Sequence, residues 1–227
     1  MKRLLLFDID GTLIWGGPAK LAFHDAMVET FGTAGDIENF SFSGKTDPQI
    51  ARGLLQGTGM PDSDIEAGFP ELWRHYLGNL EARLPEHPVD VLPGVPGLLE
   101  ALVDIDDVAL GLLTGNIVDG ARLKLGSAGL VDYFRTGSYG SDHEVRDELP
   151  AIALRRARET WGVDFHPDEV LVVGDTPRDV ACGKAAGLKT VAVATGHHGV
   201  EELQATGADH VVESFQQTDA TVSLLVA

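Results

Sequence analysis

The hydrophobic pattern of this chain begins with a short apolar run that ends at two carboxylates. Residues 4–7 are all apolar, and they are followed by Asp8, Asp10 and Gly11. Such a run is typical of a strand that is covered on both faces of a parallel sheet, where ligands bind beyond the carboxyl ends of the strands. An Asx turn would explain one aspartate and the glycine, but not two acids. This stretch therefore predicts the first strand and the first part of a site.

The spacing of apolar residues becomes helical after this strand, and no further strand is predicted before about residue 88. The predicted helices are 19–31, 48–56 and 63–83. Glycines and prolines separate them, and a cluster of prolines over 85–96 marks the return to the core. We therefore predict an all-helical cap over 15–88, inserted into a core formed by 1–14 and 89–227.

Strands and helices alternate in the remainder of the chain. The predicted strands are 108–113, 134–138, 170–173, 190–194 and 210–212. The predicted helices are 117–126, 149–161, 176–186 and 200–206, with a weak helix at the end. Repeated β–α units require right-handed crossovers and a mostly parallel sheet with helices on both faces. The predicted fold class is therefore α/β, with a Rossmann-like, doubly wound parallel sheet as its core.

Acidic residues dominate the charge of the chain, outnumbering basic residues by 35 to 17 for a formal net charge of −18. This excess argues against a nucleic-acid partner and against an anionic membrane surface, because both attract Lys and Arg. An anionic substrate would need a metal ion or a few well-placed cations beside it. Cys182 is the only cysteine, and no signal segment or membrane span is recognisable. We expect a cytoplasmic protein, and the oligomeric state stays open.

Polar residues follow three of the predicted strands. They are Asp8 and Asp10 after the first strand, Thr114, Gly115 and Asn116 after 108–113, and Asp175 and Asp179 after 170–173. Taken singly, Thr114 could cap the next helix and Asp175 could begin a turn. Because the carboxyl ends of parallel strands lie at one edge of a sheet, we expect these residues to share one crevice.

This set of motifs resembles the haloacid dehalogenase superfamily, in its phosphoglycolate phosphatase-like and β-phosphoglucomutase-like branch. The family pattern is D-x-D-G-T, then Thr or Ser with Gly or Asn, then Lys or Arg, then G-D-x-x-x-D. The matching positions are 8–12, 114–116, Arg146, and Gly174 with Asp175 and Asp179. The resemblance covers nearly the whole chain, including the helical cap. Many relatives carry Lys-Pro where this chain has Arg146 without a following proline, so a surface position for Arg146 is the alternative.

The resemblance implies a role for each carboxylate. Asp8 would attack a phosphate monoester and form an aspartyl phosphate, while Asp10 would protonate the leaving oxygen and later deprotonate water. Mg²⁺ would be bound by Asp8, the backbone carbonyl of Asp10 and Asp175, with Asp179 behind them. The implied phosphate-binding residues are Thr114, Gly115, Asn116 and Arg146.

A further candidate lies in the cap, in the loop before the helix predicted over 48–56. Gly44, Lys45 and Thr46 occupy the place of the family's substrate-specificity loop, and Gly44 permits a close approach to the core. The resemblance implies that Lys45 acts as a point charge on the substrate's leaving group. Alternatively, Thr46 or Asp47 caps the helix and Lys45 is solvated. Both interpretations stay open at this point.

The function that follows is that of a Mg²⁺-dependent phosphatase acting on a small phosphorylated metabolite. Two alternatives remain: a β-phosphoglucomutase-like phosphosugar mutase, which also needs Asp10, and a catalytically silent binding protein with the same fold. A dehalogenase is not expected to carry an acid at position 10. The sequence alone does not name the substrate.

Overall fold

The computed structural model describes residues 2–227 and is built around a six-stranded parallel sheet. The strands of the chain are β1 (Arg3–Phe7), β2 (Ile14–Gly16), β3 (Val89–Val91), β4 (Val108–Leu113), β5 (Thr136–Ser138), β6 (Val170–Gly174), β7 (Lys189–Val193) and β8 (His210–Val212). Their order in the large sheet is β5-β4-β1-β6-β7-β8. From β1 the chain moves outward to β4 and β5 on one side and to β6, β7 and β8 on the other. The predicted doubly wound α/β fold is confirmed.

The helices cover this sheet or lie in the stretch predicted to be the cap. They are α1 (Ala19–Phe31), α2 (Asp47–Gln56), α3 (Asp62–Arg83), α4 (Val95–Val103), α5 (Val118–Ser127), α6 (Leu149–Trp161), α7 (Pro177–Ala185), α8 (Val200–Ala205) and α9 (Thr218–Val226). Helices α1 to α3 follow one another between β2 and β3. Within residues 2–227, none of the helices combines the length and the apolar character needed to cross a bilayer.

Strand β1 shows why the first apolar run is continuous. Successive side chains of a strand point to opposite faces, so Leu5 and Phe7 enter one apolar cluster while Leu4 and Leu6 enter another. All four side chains are fully buried. The N–H of Asp8 still donates to the carbonyl of the neighbouring strand β6, at 2.9 Å. Asp8 is therefore held rigidly at the point where the apolar strand ends.

A small two-stranded sheet lies between the core and the helices α1 to α3. Strands β2 and β3 pair in antiparallel fashion, with Ile14 opposite Val91. The sequence analysis expected no strand in this region, and that expectation was wrong. Strands of this length are too short to show alternation, and each finds its partner far away in the chain. The predicted division into a core of 1–14 and 89–227 and a cap of 15–88 falls at this sheet and stays a prediction.

Helix α4 is a second element that was not predicted. It begins directly after the proline-rich return, and Pro96 lies in its first turn. A proline is tolerated there because the first N–H groups of a helix have no partner within the helix. Because the prolines were interpreted only as helix breakers, the prediction missed this helix, which buries Leu98, Leu99 and Leu102.

Candidate active site

The carboxyl ends of β1, β4 and β6 meet at one crevice, because β1 lies between the other two strands. A cavity of about 390 Å³ lies over this edge of the sheet. Its floor is formed by the core side chains Asp8, Asp10, Thr114, Asn116, Lys124, Arg146 and Asp175. Its roof is formed by the side chains Phe23, Phe42, Lys45, Asp47, Ile50 and Tyr76. Gly44 and Gly115 also line the cavity, and Asp179 and Thr46 are buried nearby. The structure thus brings the residues of all the predicted motifs together.

Three buried carboxylates form the centre of the floor. Asp8, Asp175 and Asp179 each place a side-chain oxygen within 4.8 Å of the other two. The backbone fits tightly around Asp175: a Cβ at Gly11 would lie 2.3 Å from its Oδ2, and one at Gly196 would lie 1.7 Å away. Gly11 also has a φ of 86°, which other residues rarely adopt. The glycine of the first motif is therefore required for both the turn and the contact with Asp175.

Burial disfavours the negative charge of two of these carboxylates. Burial raises the pKa of Asp8 to about 6, against the opposing charge of Arg146. Burial also raises the pKa of Asp175 to about 8, and the carboxylates of Asp179 and Asp8 increase it further. Burial thus disfavours the charged form of both carboxylates, and a bound cation would favour it again. An all-oxygen, acidic set of donors fits Mg²⁺, which prefers carboxylate oxygens.

Arg146 enters the floor from a short 3₁₀ turn just before α6. It is only 4% exposed, so the surface alternative does not hold. Its guanidinium lies 3.3 Å from Oδ1 of Asp8 and also pairs with Asp179. The second oxygen of Asp179 accepts hydrogen bonds from the backbone N–H and the hydroxyl of Thr176, at 2.9 and 2.8 Å. Both oxygens of Asp179 therefore have protein partners.

The second motif forms a turn beside Asp10. The hydroxyl of Thr114 accepts from the backbone N–H and from the side-chain amide of Asn116, at 3.3 and 2.9 Å. The same amide donates to Oδ2 of Asp10 at 2.7 Å. The side chain of Asn116, which was expected at the phosphate, is thus engaged with Asp10. The hydroxyl proton of Thr114 is left for an acceptor in the cavity.

Lys124 is a buried member of the site that the sequence analysis missed. Its ammonium lies 2.9 and 2.8 Å from the two carboxylate oxygens of Asp10. Burial works to lower the pKa of Lys124, but the charges of Asp10, Tyr76 and Asp47 together outweigh it and the pKa is raised. A signal was present in the sequence, because Lys124 lies one turn after Ala121 and next to Leu125, on the apolar face of α5.

The roof of the cavity is mainly apolar and aromatic, but it contains two buried polar groups. Tyr76 is 2% exposed, and its hydroxyl forms no hydrogen bond with any other residue from 2 to 227. Burial raises the pKa of Tyr76. Asp47 accepts a hydrogen bond from the backbone N–H of Ile117 at 2.8 Å, and burial raises its pKa to about 6. Neither residue was predicted to line the cavity.

Glycines bring the predicted substrate loop into contact with the core. A Cβ at Gly44 would lie 2.6 Å from the Cβ of Arg178, and Gly44 has a φ of 64°. On the other side of the loop, a Cβ at Gly115 would lie 2.1 Å from the carbonyl oxygen of Lys45. Larger side chains at either glycine would push the loop away from the floor.

Thr46 and Lys45 show that capping and a place at the cavity are compatible. The hydroxyl of Thr46 caps α2 within a reciprocal capping box and also donates to the carbonyl of Glu144 at 2.7 Å. The capping interpretation is therefore confirmed for Thr46. The ammonium of Lys45 donates to the carbonyl of Ser41 and lies 4.7 Å from the ring centroid of Phe40. Lys45 thus lines the cavity with its ammonium engaged inside the cap.

Comparison with known proteins decides the family. The haloacid dehalogenase-like hydrolase family matches residues 2–187 of the chain. The chain belongs to this family. The resemblance to this family is confirmed.

The relatives of this haloacid dehalogenase-like protein include phosphatases. The chain is 28% identical to the phosphoglycolate phosphatase of Rhodospirillum rubrum, over 95% of this chain and 88% of that protein. It is 29% identical to the N-acetylmuramic acid 6-phosphate phosphatase of Pseudomonas putida, over 93% and 92% of the two chains. A solved hydrolase from Pseudomonas syringae has the same fold, with a TM-score of 0.69 at 21% identity over 100% of both chains. The protein is therefore a haloacid dehalogenase-like phosphatase.

Proposed function

We propose that the protein is a Mg²⁺-dependent phosphatase that hydrolyses a small phosphate monoester through an aspartyl phosphate on Asp8. The observation that carries this proposal is the cluster of buried carboxylates, in which Asp8 and Asp175 have raised pKa values, next to the buried guanidinium of Arg146. The cluster offers a nucleophile together with metal ligands, and Arg146 offers a fixed cation for the phosphate.

Asp8 and Asp175 are the side chains that would hold the metal ion, because they lie at the carboxyl ends of β1 and β6 with side-chain oxygens within 4.8 Å of each other. Asp179 would support them from behind, since both of its oxygens are engaged with protein donors. The backbone carbonyl of Asp10 is the further expected ligand. Bound Mg²⁺ would neutralise phosphate charge and orient the phosphate.

The reaction then uses residues of the floor in two displacements. An oxygen of Asp8 attacks phosphorus while the bond to the leaving oxygen breaks, and Asp10 gives that oxygen a proton. Asp10 next takes a proton from a water molecule, which attacks the phosphorus and releases phosphate and free Asp8. Thr114, Gly115 and Arg146 hold the phosphate oxygens in both steps.

The substrate class that we propose is a small phosphorylated metabolite. Two relatives carry names for phosphatases of phosphoglycolate and of N-acetylmuramic acid 6-phosphate, whose leaving groups differ greatly in size. The cavity of about 390 Å³ is near the lower end of the range for small-molecule pockets, roughly 300–1,000 Å³. This volume suits a single small metabolite beneath the roof.

A panel of phosphorylated metabolites tests the proposal. The purified protein is incubated with each compound with Mg²⁺ or with a chelator, and released phosphate and the organic product are both measured. Mg²⁺-dependent phosphate release is expected, and mass spectrometry of acid-quenched enzyme should find the phosphoryl group on Asp8. Isomerised sugar phosphate without released phosphate would indicate a mutase. No reaction with any member would favour a silent binding protein.

A further inference from the structure

The ammonium of Lys124 has all of its donors occupied by two floor residues. Two of its hydrogen bonds go to the carboxylate oxygens of Asp10, at 2.9 and 2.8 Å, and one goes to Oδ1 of Asn116 at 2.7 Å. An ammonium has three N–H groups, so none is left for a substrate. The amide of Asn116 completes the arrangement with its own hydrogen bond to Asp10, at 2.7 Å. Lys124 and Asn116 together form a clamp on one carboxylate.

The clamp is built from a buried cation and a carboxylate that is open to the cavity. The side chain of Lys124 is 5% exposed, whereas the side chain of Asp10 is 47% exposed. Burying an ammonium carries a large desolvation cost, which an ion pair seldom repays as extra stability. A half-exposed carboxylate could also be solvated by water alone. Stability therefore does not explain why α5 directs a lysine to Asp10.

We propose that Lys124 is a positioning residue for Asp10, and that it acts on the reaction only through that carboxylate. This inference rests on the proposed function, in which Asp10 transfers protons to and from the reacting oxygen. A freely rotating carboxylate would have to be ordered during each proton transfer. The clamp orders it beforehand, which removes this entropic cost from the barrier.

The test compares Lys124→Met with Arg122→Met, a variant of an exposed cation on the same helix. Two substrates are used: 4-nitrophenyl phosphate, whose leaving group departs without a proton, and phosphoglycolate or N-acetylmuramic acid 6-phosphate, whose alkoxide needs one. For Lys124→Met we expect kcat/KM to fall about 30-fold or more on the alkyl phosphate and less than about threefold on 4-nitrophenyl phosphate. Arg122→Met should behave like the wild-type enzyme on both.

A double-mutant cycle separates positioning from a general structural effect. In an Asp10→Asn background, Lys124→Met should reduce the remaining kcat/KM by less than about twofold, because the group on which it acts is already lost. Equal losses on the two substrates, or a full loss that persists without Asp10, would overturn the proposal. If Lys124→Met does not fold, Lys124→Gln takes its place in the same cycle.

A crystal structure of the Lys124 variant gives a readout that does not depend on activity. We expect the Asp10 carboxylate to leave Asn116 or to occupy several rotamers. An Asp10 side chain that stays ordered in its original position would contradict the proposal. An inactive wild-type protein whose Asp10 nevertheless moves in the variant would instead count against the proposed function.

Discussion

The floor and the roof of the cavity differ in how their polar groups are satisfied. On the floor, Asp10 is held by Lys124, and Arg146 is paired with two carboxylates. In the roof, the hydroxyl of Tyr76 has no hydrogen-bond partner among the described residues, and the ammonium of Lys45 donates to one carbonyl group and lies over the ring of Phe40. Side chains such as Asp10 and Arg146, which are paired and ordered before a substrate arrives, suit a reaction common to many substrates. Groups that can still form hydrogen bonds suit recognition of one particular leaving group.

The largest effect is expected on the floor, from Asp8→Asn. Loss of the nucleophile should lower kcat by about 10⁵-fold or more on every substrate, measured as phosphate release with Mg²⁺. The exposed Asp106→Asn is the matched control and should keep full activity.

Thermal unfolding of the same Asp8→Asn variant shows that the loss is not a folding defect. The pKa of Asp8 in the folded protein is raised from 3.8 to about 6, so its stabilising contribution is present below pH 4 and is lost as the pH rises through 6. The metal-free variant should therefore unfold at or above the wild-type temperature at pH 7.5. If the variant turns over substrate as fast as the wild-type enzyme, Asp8 is not the nucleophile.

Asp10→Asn should have the next largest effect, with the fold and the Mg²⁺ affinity retained. The expected metal ligand at this position is the backbone carbonyl, which the substitution leaves in place. Proton transfer is lost, so kcat should fall about 10²–10⁴-fold. Steady-state kinetics and a calorimetric Mg²⁺ titration provide the measurements. A rise in KM at constant kcat would show that Asp10 binds substrate instead of moving protons.

The floor was largely predictable because its motifs follow apolar strands. β1, β4 and β6 are long enough for their apolar pattern to be read, and each is followed by a carboxylate or a hydroxyl at the edge of the sheet. The pairing of β2 with β3 was not predictable in this way, because each strand has three residues and the pairing depends on the folded core. The sequence therefore indicated where the chemistry lies better than how the cap joins the core.

The direction of individual side chains was the part that the sequence could not supply. Asn116 lies in the second motif, yet its amide turns to Asp10, because Lys124 provides the third member of that arrangement. Lys124 lies in the predicted helix without belonging to any motif. Tyr76 lies on α3, far away in the chain from every motif. Only the packing of α3 and α5 around the cavity brings Tyr76 and Lys124 close to Asp10.

Lys45→Ala should sharpen the contrast between roof and floor with a moderate effect. If Lys45 binds an anionic leaving group, kcat/KM for that substrate should fall about tenfold. This loss is at the lower end of the range for a charged hydrogen bond, because the ammonium must first leave the carbonyl of Ser41. 4-Nitrophenyl phosphate offers no such group and should be hydrolysed as before. Lys189→Ala is the control for loss of a surface cation. Equal losses on both substrates would mean that Lys45 supports the loop.

Tyr76→Phe should have the smallest effect and gives the finest test of the roof. The hydroxyl has no hydrogen-bond partner from residue 2 to residue 227, so its removal should leave the unfolding temperature unchanged. If the hydroxyl binds the leaving group, kcat/KM for the natural substrate should fall about fivefold, as for a neutral hydrogen bond, while 4-nitrophenyl phosphate is unaffected. Tyr133→Phe, outside the cavity, should change neither value. A fall in kcat/KM on both substrates would mean that Tyr76 acts on Lys124 and Asp10 of the floor instead of on the leaving group.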